Sequence, residues 1–165
     1  AEDYQFVLAG APGIDPAYYQ QYIRRDVPLK IVFGQTYRLL QQAKAALVTS
    51  GTATLETALF RVPQAVCYYT PVGKLISFLR RHILKVKYIS LVNLVANKEV
   101  VKELVADTMT VDNVRAELNA LLNDAEYRGR MLQEYDRMIK ILGPAGASHQ
   151  AASKMIELLS IRKAK

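Results

Sequence analysis

Ala45-Ala-Leu-Val-Thr-Ser-Gly-Thr-Ala-Thr-Leu-Glu-Thr-Ala-Leu-Phe-Arg-Val-Pro-Gln-Ala-Val-Cys-Tyr-Tyr69 is the stretch that decides the fold. Its apolar runs Ala45–Thr49 and Ala65–Tyr69 have the length and composition of buried strands, and Gly51–Arg61 between them reads as a helix. The small-residue turn Ser50-Gly51-Thr52 brings backbone N–H groups and two hydroxyls to that helix's N-terminus, a setting suited to phosphate. Glu56 follows Thr52 by one helical turn, where a carboxylate can accept hydrogen bonds from ribose or sugar hydroxyls. Phosphate and sugar together point to a nucleotide or a nucleotide-sugar. A second reading stands beside this one: hydroxyls followed by Glu at a helix start also describe a capping box, with Glu56 serving only the helix's own N–H groups. The strand in front of the turn favours the ligand, because open α/β sheets bind ligands beyond the carboxyl ends of their strands.

Working outward, Phe6–Gly10 reads as a strand closed by Gly10 and Pro12. Asp15 caps a helix predicted to run from Pro16 to about Arg25. Leu29–Phe33 is a second strand stopped at Gly34, and Thr36 caps a predicted helix reaching Lys44. Beyond Tyr69 the pattern predicts a helix over Gly73–Lys85 and a short extended piece at Tyr88–Leu91. Strand and helix alternate through short loops, so the expected fold class is α/β, with a doubly wound, mostly parallel Rossmann-like sheet. After Asn97 only helices are predicted: Lys98–Ala106, Val111–Asn123, Ala125–Leu142 and Ser148–Ile161. The expected organisation is a nucleotide-binding core over 1–97 and a helical extension over 98–165, packed on the core or on a partner.

At 165 residues and 51% hydrophobic, the chain can bury one core but not two ordinary ones. Cys67 is the single cysteine and falls in a predicted buried strand, so it reads as a packing residue in a reducing compartment. No residue cluster has metal-ligand spacing, and no metal or cofactor is expected. His82 and His149 lack partners for acid–base work, and Tyr18, Tyr19 and Tyr22 read as a packing edge. No apolar run approaches the ~20 residues of a membrane span. The net charge is +7, and five cations, Lys74, Arg80, Arg81, Lys85 and Lys87, fall in one stretch without an acid. Apolar residues interleave them, as in a basic amphipathic helix lying on an anionic membrane surface, or as in an ordinary helix with a solvated basic face. No nucleic-acid signature accompanies the charge.

Four stretches carry a resemblance: Ala-Ala-Leu-Val-Thr-Ser-Gly-Thr-Ala-Thr-Leu-Glu (45–56), Val-Pro-Gln-Ala-Val-Cys-Tyr (62–68), Tyr-Ile-Ser-Leu-Val-Asn-Leu-Val-Ala (88–96) and Glu-Val-Val-Lys-Glu-Leu (99–104). In this order and spacing the chain resembles the C-terminal half of the lipid-A-disaccharide synthase family, glycosyltransferases of GT-B type. The resemblance implies transfer of diacylglucosamine from UDP-diacylglucosamine to lipid X, releasing UDP, without a bound metal. It implies that Ser50, Gly51 and Thr52 hold the donor's pyrophosphate and that Glu56 bonds the ribose. It sets Asn93 near the donor or the cleft, and makes the loop Gly34–Tyr37 a weaker candidate for the uracil edge. With no secretory signal visible at Ala1-Glu2-Asp3 and no apolar run long enough to span a bilayer, the expected location is cytoplasmic, peripheral at the inner membrane.

Two departures from the family pattern stand out. Val92 replaces the usual Pro. The family's N-terminal acceptor-binding domain, and a first strand with a Gly-Ser-Arg loop, have no counterpart here. The expectation is therefore a fragment without a catalytic base, inactive alone and meeting lipid X only through the other domain. Its sheet would hold a slot or an unpaired edge, closed by re-pairing or by a homo-oligomer. Two alternatives remain at this stage: another UDP-sugar enzyme of the same fold, such as a UDP-N-acetylglucosamine 2-epimerase, or a non-catalytic membrane-surface interaction module.

Overall fold

Short apolar runs separated by Gly, Pro and capping residues become parallel strands joined by helices. The structure is a computed structural model that describes residues 4–24, 26–49, 51–69, 87–144 and 146–163. In order it contains β1 (Phe6–Gly10), α1 (Pro16–Gln20), β2 (Leu29–Phe33), α2 (Thr36–Leu40), β3 (Ala46–Val48), α3 (Gly51–Leu59) and β4 (Gln64–Tyr68). There follow α4 (Leu91–Ala96), β5 (Lys102–Val105), a 3-10 turn (Ala106–Thr108), α5 (Val111–Asn123), α6 (Ala125–Leu142) and α7 (Ala147–Lys163). The α/β class with parallel strands is as the sequence predicts. The helix predicted over Gly73–Lys85 lies outside the described residues.

Strands β1 and β2 pair in parallel, and β3, β4 and β5 form a second parallel sheet in that order. Gly10 stands opposite Phe33 in the first ladder. The Phe33 ring lies over its α-carbon, so an added Cβ would sit 2.3 Å from a ring carbon. Neither β1 nor β2 joins the second sheet, so the break in the sheet is present, and re-pairing across it is absent among the described residues.

The largest correction concerns residues 98–106. They were predicted helical, yet Lys102–Val105 is β5, in register with Ala65–Tyr68 of β4. Lys, Glu and Leu are good helix formers, but intrinsic propensity is a small bias, whereas the edge of β4 offers a full parallel ladder, and that tertiary partner decides. The extended piece at Tyr88–Leu91 is shorter than predicted, since Ser90 caps α4, its side chain accepting from Asn93 N, and Leu91 is already helical. Helices α1 and α2 end at Gln20 and Leu40, earlier than the pattern indicated. The N-cap of α2 is Gln35 rather than Thr36, and α7 begins at Ala147, which puts Ser148 inside the helix. Asp15 does cap α1, accepting from Ala17 N at 2.7 Å.

The core lies around the second sheet, where Ala58, Ala65, Val66, Val92, Val101, Leu121, Tyr135 and Met138 are buried together. Alternation along β4 sends Gln64, Val66 and Tyr68 to one face. There Gln64 Nε2 donates to Thr54 O at 2.9 Å and to Tyr135 Oη at 3.3 Å, and Tyr135 Oη donates to Val62 O at 3.2 Å. Helices α3, α4 and α6 pack against one another, and α5 packs on β4 and β5. Thr110 and Asp124 cap α5 and α6, accepting from Asn113 N and Tyr127 N. Arg128 of α6 reaches back to donate to Lys44 O at 3.1 Å, tying the helical part to the loop before β3. Helix α7 leaves Met155, Ile156, Leu158 and Leu159 exposed.

Candidate functional site

Helix α3 starts at Gly51, directly beyond the carboxyl end of β3. Its first turn therefore presents the positive end of the helix dipole where α/β folds place ligands. Ser50 lies outside the described residues. Thr52 is exposed on the first turn, while Thr54 and Thr57 are buried. The latter two turn their hydroxyls inward, donating to Gly51 O at 2.6 Å and Ala53 O at 2.7 Å. Of the α3 threonines, only Thr52 has its side chain on the outer surface.

The helix start bears on the capping reading of Glu56. A capping-box glutamate sits at the third helical position, which here is Ala53. Glu56 is one turn further on and cannot serve the N-cap. It shares a face with Thr52, about 6 Å along the helix, a separation that suits one ligand carrying both phosphate and ribose.

Glu56 looks into an open cleft of about 340 Å³ lined by Gly34, Gln35, Thr36, Tyr37, Arg38 and Glu56 itself. Gly34 has φ +65°, which lets the chain turn sharply from the carboxyl end of β2 into α2. Tyr37 then lies against α3. Its Oη donates to Glu56 Oε1 at 3.3 Å, and its ring stacks on Phe60 with centroids 5.3 Å apart and planes inclined by 30°. The loop that the sequence offered only weakly is thus brought directly to Glu56.

Tyr68 was not singled out by sequence. It ends β4 with its hydroxyl 3.7 Å from the position a Cβ on Gly51 would take. Burial first, and then the charge of Glu103, push its phenol above the usual value. At neutral pH it therefore remains an O–H donor beside the turn. Only the alternation of β4 could have indicated that this residue faces α3.

Asn93 takes a different part from the one the sequence implied. It is fully buried, and its Oδ1 accepts from Val100 N at 2.7 Å and Val101 N at 3.0 Å. Its Nδ2 donates to Val101 O and to Glu103 Oε1, both at 2.9 Å. An amide has two donors and two acceptor sites, and all four are engaged. Asn93 braces the connection from α4 to β5 and has no capacity left to touch a donor. Glu103, which lies in the quoted stretch 99–104 but was given no role there, is the hub of this brace. Besides Asn93 it accepts from Ile89 N, Ser90 N and Ser90 Oγ at 2.8 to 3.1 Å.

Of the basic stretch, Lys74, Arg80, Arg81 and Lys85 lie outside the described residues. Lys87 is described, with its Nζ 5.1 Å from the Tyr88 ring centroid. Among the described residues no group of His, Cys, Asp and Glu is placed to hold a metal ion, and no helix is long and apolar enough to cross a membrane.

Residues 14–156 match the family model described as lipid-A-disaccharide synthetase. A lipid-A-disaccharide synthase of Psychromonas ingrahamii is 38% identical over 98% of this chain and 42% of its own length. Enzymes of the same name from Syntrophus aciditrophicus and Pseudomonas putida are each 34% identical, over 94% and 95% of this chain and 40% of their own lengths. The chain thus spans about 40% of the length of these relatives.

Proposed function

The chain belongs to the lipid-A-disaccharide synthetase family, and from that membership we propose that it is the donor-binding part of a glycosyltransferase. The reaction is transfer of diacylglucosamine from UDP-diacylglucosamine to lipid X, giving a β-1′,6 disaccharide and UDP. The observation that carries this reading is Glu56 in the cleft with Gly34–Arg38, four residues from Thr52 on the same face of α3. A volume of about 340 Å³ accepts a nucleoside and leaves the acyl chains outside.

In this reading Ser50, Gly51 and Thr52 hold the pyrophosphate, and the helix end stabilises the negative charge that builds on UDP as it leaves. Glu56 accepts from the ribose hydroxyls. The cleft loop Gly34–Arg38 borders the uracil. Asn93 acts from behind, by fixing α4 to β5. No residue of this chain is assigned as the catalytic base. Lipid X is met by the remaining part of the enzyme, and the row Lys74, Arg80, Arg81, Lys85 and Lys87 meets anionic lipid at the membrane surface, its support being the run of cations without an acid. Self-association is compatible with the apolar side chains that α7 exposes.

Calorimetry with UDP tests the assignment. Wild type binds UDP, and Glu56→Ala weakens it by about tenfold or more at an unchanged melting temperature. A Glu56→Ala variant that kept its UDP affinity and lost only stability would refute the ligand role. Flotation with anionic vesicles tests the basic row, whose replacement releases the protein into the soluble fraction.

A further inference from the structure

A glutamate on a helix surface moves freely about three torsions, and a carboxylate that must meet two hydroxyls at once binds better when that freedom is already removed. Glu56 has such a restraint. The Tyr37 hydroxyl donates to Oε1 at 3.3 Å, a long contact that orients the carboxylate only together with the seat of the Tyr37 ring. Tyr37 is itself held by its ring contact with Phe60. Phe60 follows Glu56 by one turn, with its N–H donating to Glu56 O at 3.1 Å, so the stacked ring and the bonded carboxylate share one face. A carboxylate offers about four lone-pair sites. One tyrosine hydroxyl therefore leaves room for both hydroxyls of a vicinal diol.

We propose that Tyr37 is a positioning residue that fixes the Glu56 carboxylate for the two hydroxyls of a ribose, making the site select ribonucleotides over nucleotides without that diol. This rests on the nucleotide reading of the cleft. Phenylalanine at position 37 keeps the ring on Phe60 and removes only the hydroxyl, so the fold is not at stake: Tyr37 is 57% exposed.

The test compares UDP with 2′,3′-dideoxy-UDP by calorimetry on the full 165-residue chain. Wild type prefers UDP by about tenfold or more, the consequence of paired hydroxyls on a charged acceptor. Tyr37→Phe lowers UDP affinity about three- to tenfold, leaves dideoxy-UDP affinity unchanged and keeps the melting temperature. Phe60→Leu, which loosens the seat of the Tyr37 ring, shifts the same ratio in the same direction by less. Full discrimination retained in Tyr37→Phe overturns the role of Tyr37 alone. Equal losses for both nucleotides also overturn it, by showing a general structural effect. A wild-type chain that binds UDP without discrimination overturns the diol role of Glu56 and with it the positioning role, whereas one that does not bind UDP overturns the nucleotide reading and the positioning role together.

Discussion

Asn93 Nδ2 lies 2.9 Å from Glu103 Oε1, and this bond joins two networks that hold the start of α4 and the start of β5 together. The same amide satisfies the buried backbone of Val100 and Val101. Replacing Asn93 by Ala removes the partners of two buried N–H groups and a carbonyl. Asn93→Ala is expected to destabilise the chain by about 2–4 kcal/mol. Urea unfolding measures it, and a loss below ~1 kcal/mol would show that water enters to replace the amide.

Gly51 opens α3, and its missing side chain matters to a ligand more than to the fold. A Cβ there meets nothing closer than Tyr68 Oη at 3.7 Å, an ordinary contact. Alanine is moreover the better helix former. Gly51→Ala is therefore expected to keep or slightly raise the melting temperature and, on the pyrophosphate role proposed for this turn, to weaken UDP binding by crowding the helix start. Parallel thermal melts and calorimetry separate the two effects, and unaltered UDP affinity would place the pyrophosphate elsewhere.

Glu134 of α6 pairs with Lys98, just after α4, and with Arg137. The hydrogen bond from Lys98 is the main influence holding its carboxyl below the usual range, and the Arg137 charge adds to it against the opposing effect of burial. A pKa lowered in the folded state stabilises above the unfolded pKa of about 4.3, and that contribution is lost as pH falls through the lower folded value. Glu134→Gln should accordingly be less stable than wild type at pH 7, with the gap closing below about pH 4. Denaturant melts across pH 3 to 7 check this, and a gap independent of pH would assign the effect to packing.

Cys67 is buried in β4. Burial, and secondarily the charge of Glu117, push its thiol above the ordinary value. The thiolate is the reactive form, so native protein at pH 7 should resist alkylation, and modification should track unfolding as urea is added. Rapid labelling without urea would mean that β4 opens locally.

The order of elements up to β4, and the helices after Thr110, was legible where an element carries a local physical cause, whereas α4 and β5 were not. Asp15 with Pro16 begins α1, Thr110 and Asp124 begin α5 and α6, and apolar runs of about five residues make the strands. Residues 98–106 were misread because their spacing of Val and Leu fits a helix as well as a strand, and only the edge of β4 distinguishes the two. In the candidate site, Gly51, Thr52 and Glu56 were legible because all stand on one helix within two turns. Tyr37 was seen only as part of a loop, and Glu103 and Tyr68 not at all. Their roles arise from contacts between elements distant in sequence, 19 residues apart for Tyr37 and Glu56 and 10 for Asn93 and Glu103. No local pattern encodes such distances.

The break between the two sheets gives the cleft a mechanical meaning. Tyr37 follows β2 of one sheet and Glu56 follows β3 of the other, yet no ladder of backbone bonds joins those sheets among the described residues. The cleft is thus a seam, crossed by the Tyr37–Glu56 bond and the stacked Tyr37 and Phe60 rings. On the proposed reading, a nucleotide that grips both walls would act as a rivet. Its affinity would include the work of holding two plates in register, and saturation would stiffen both sheets as well as the residues it touches.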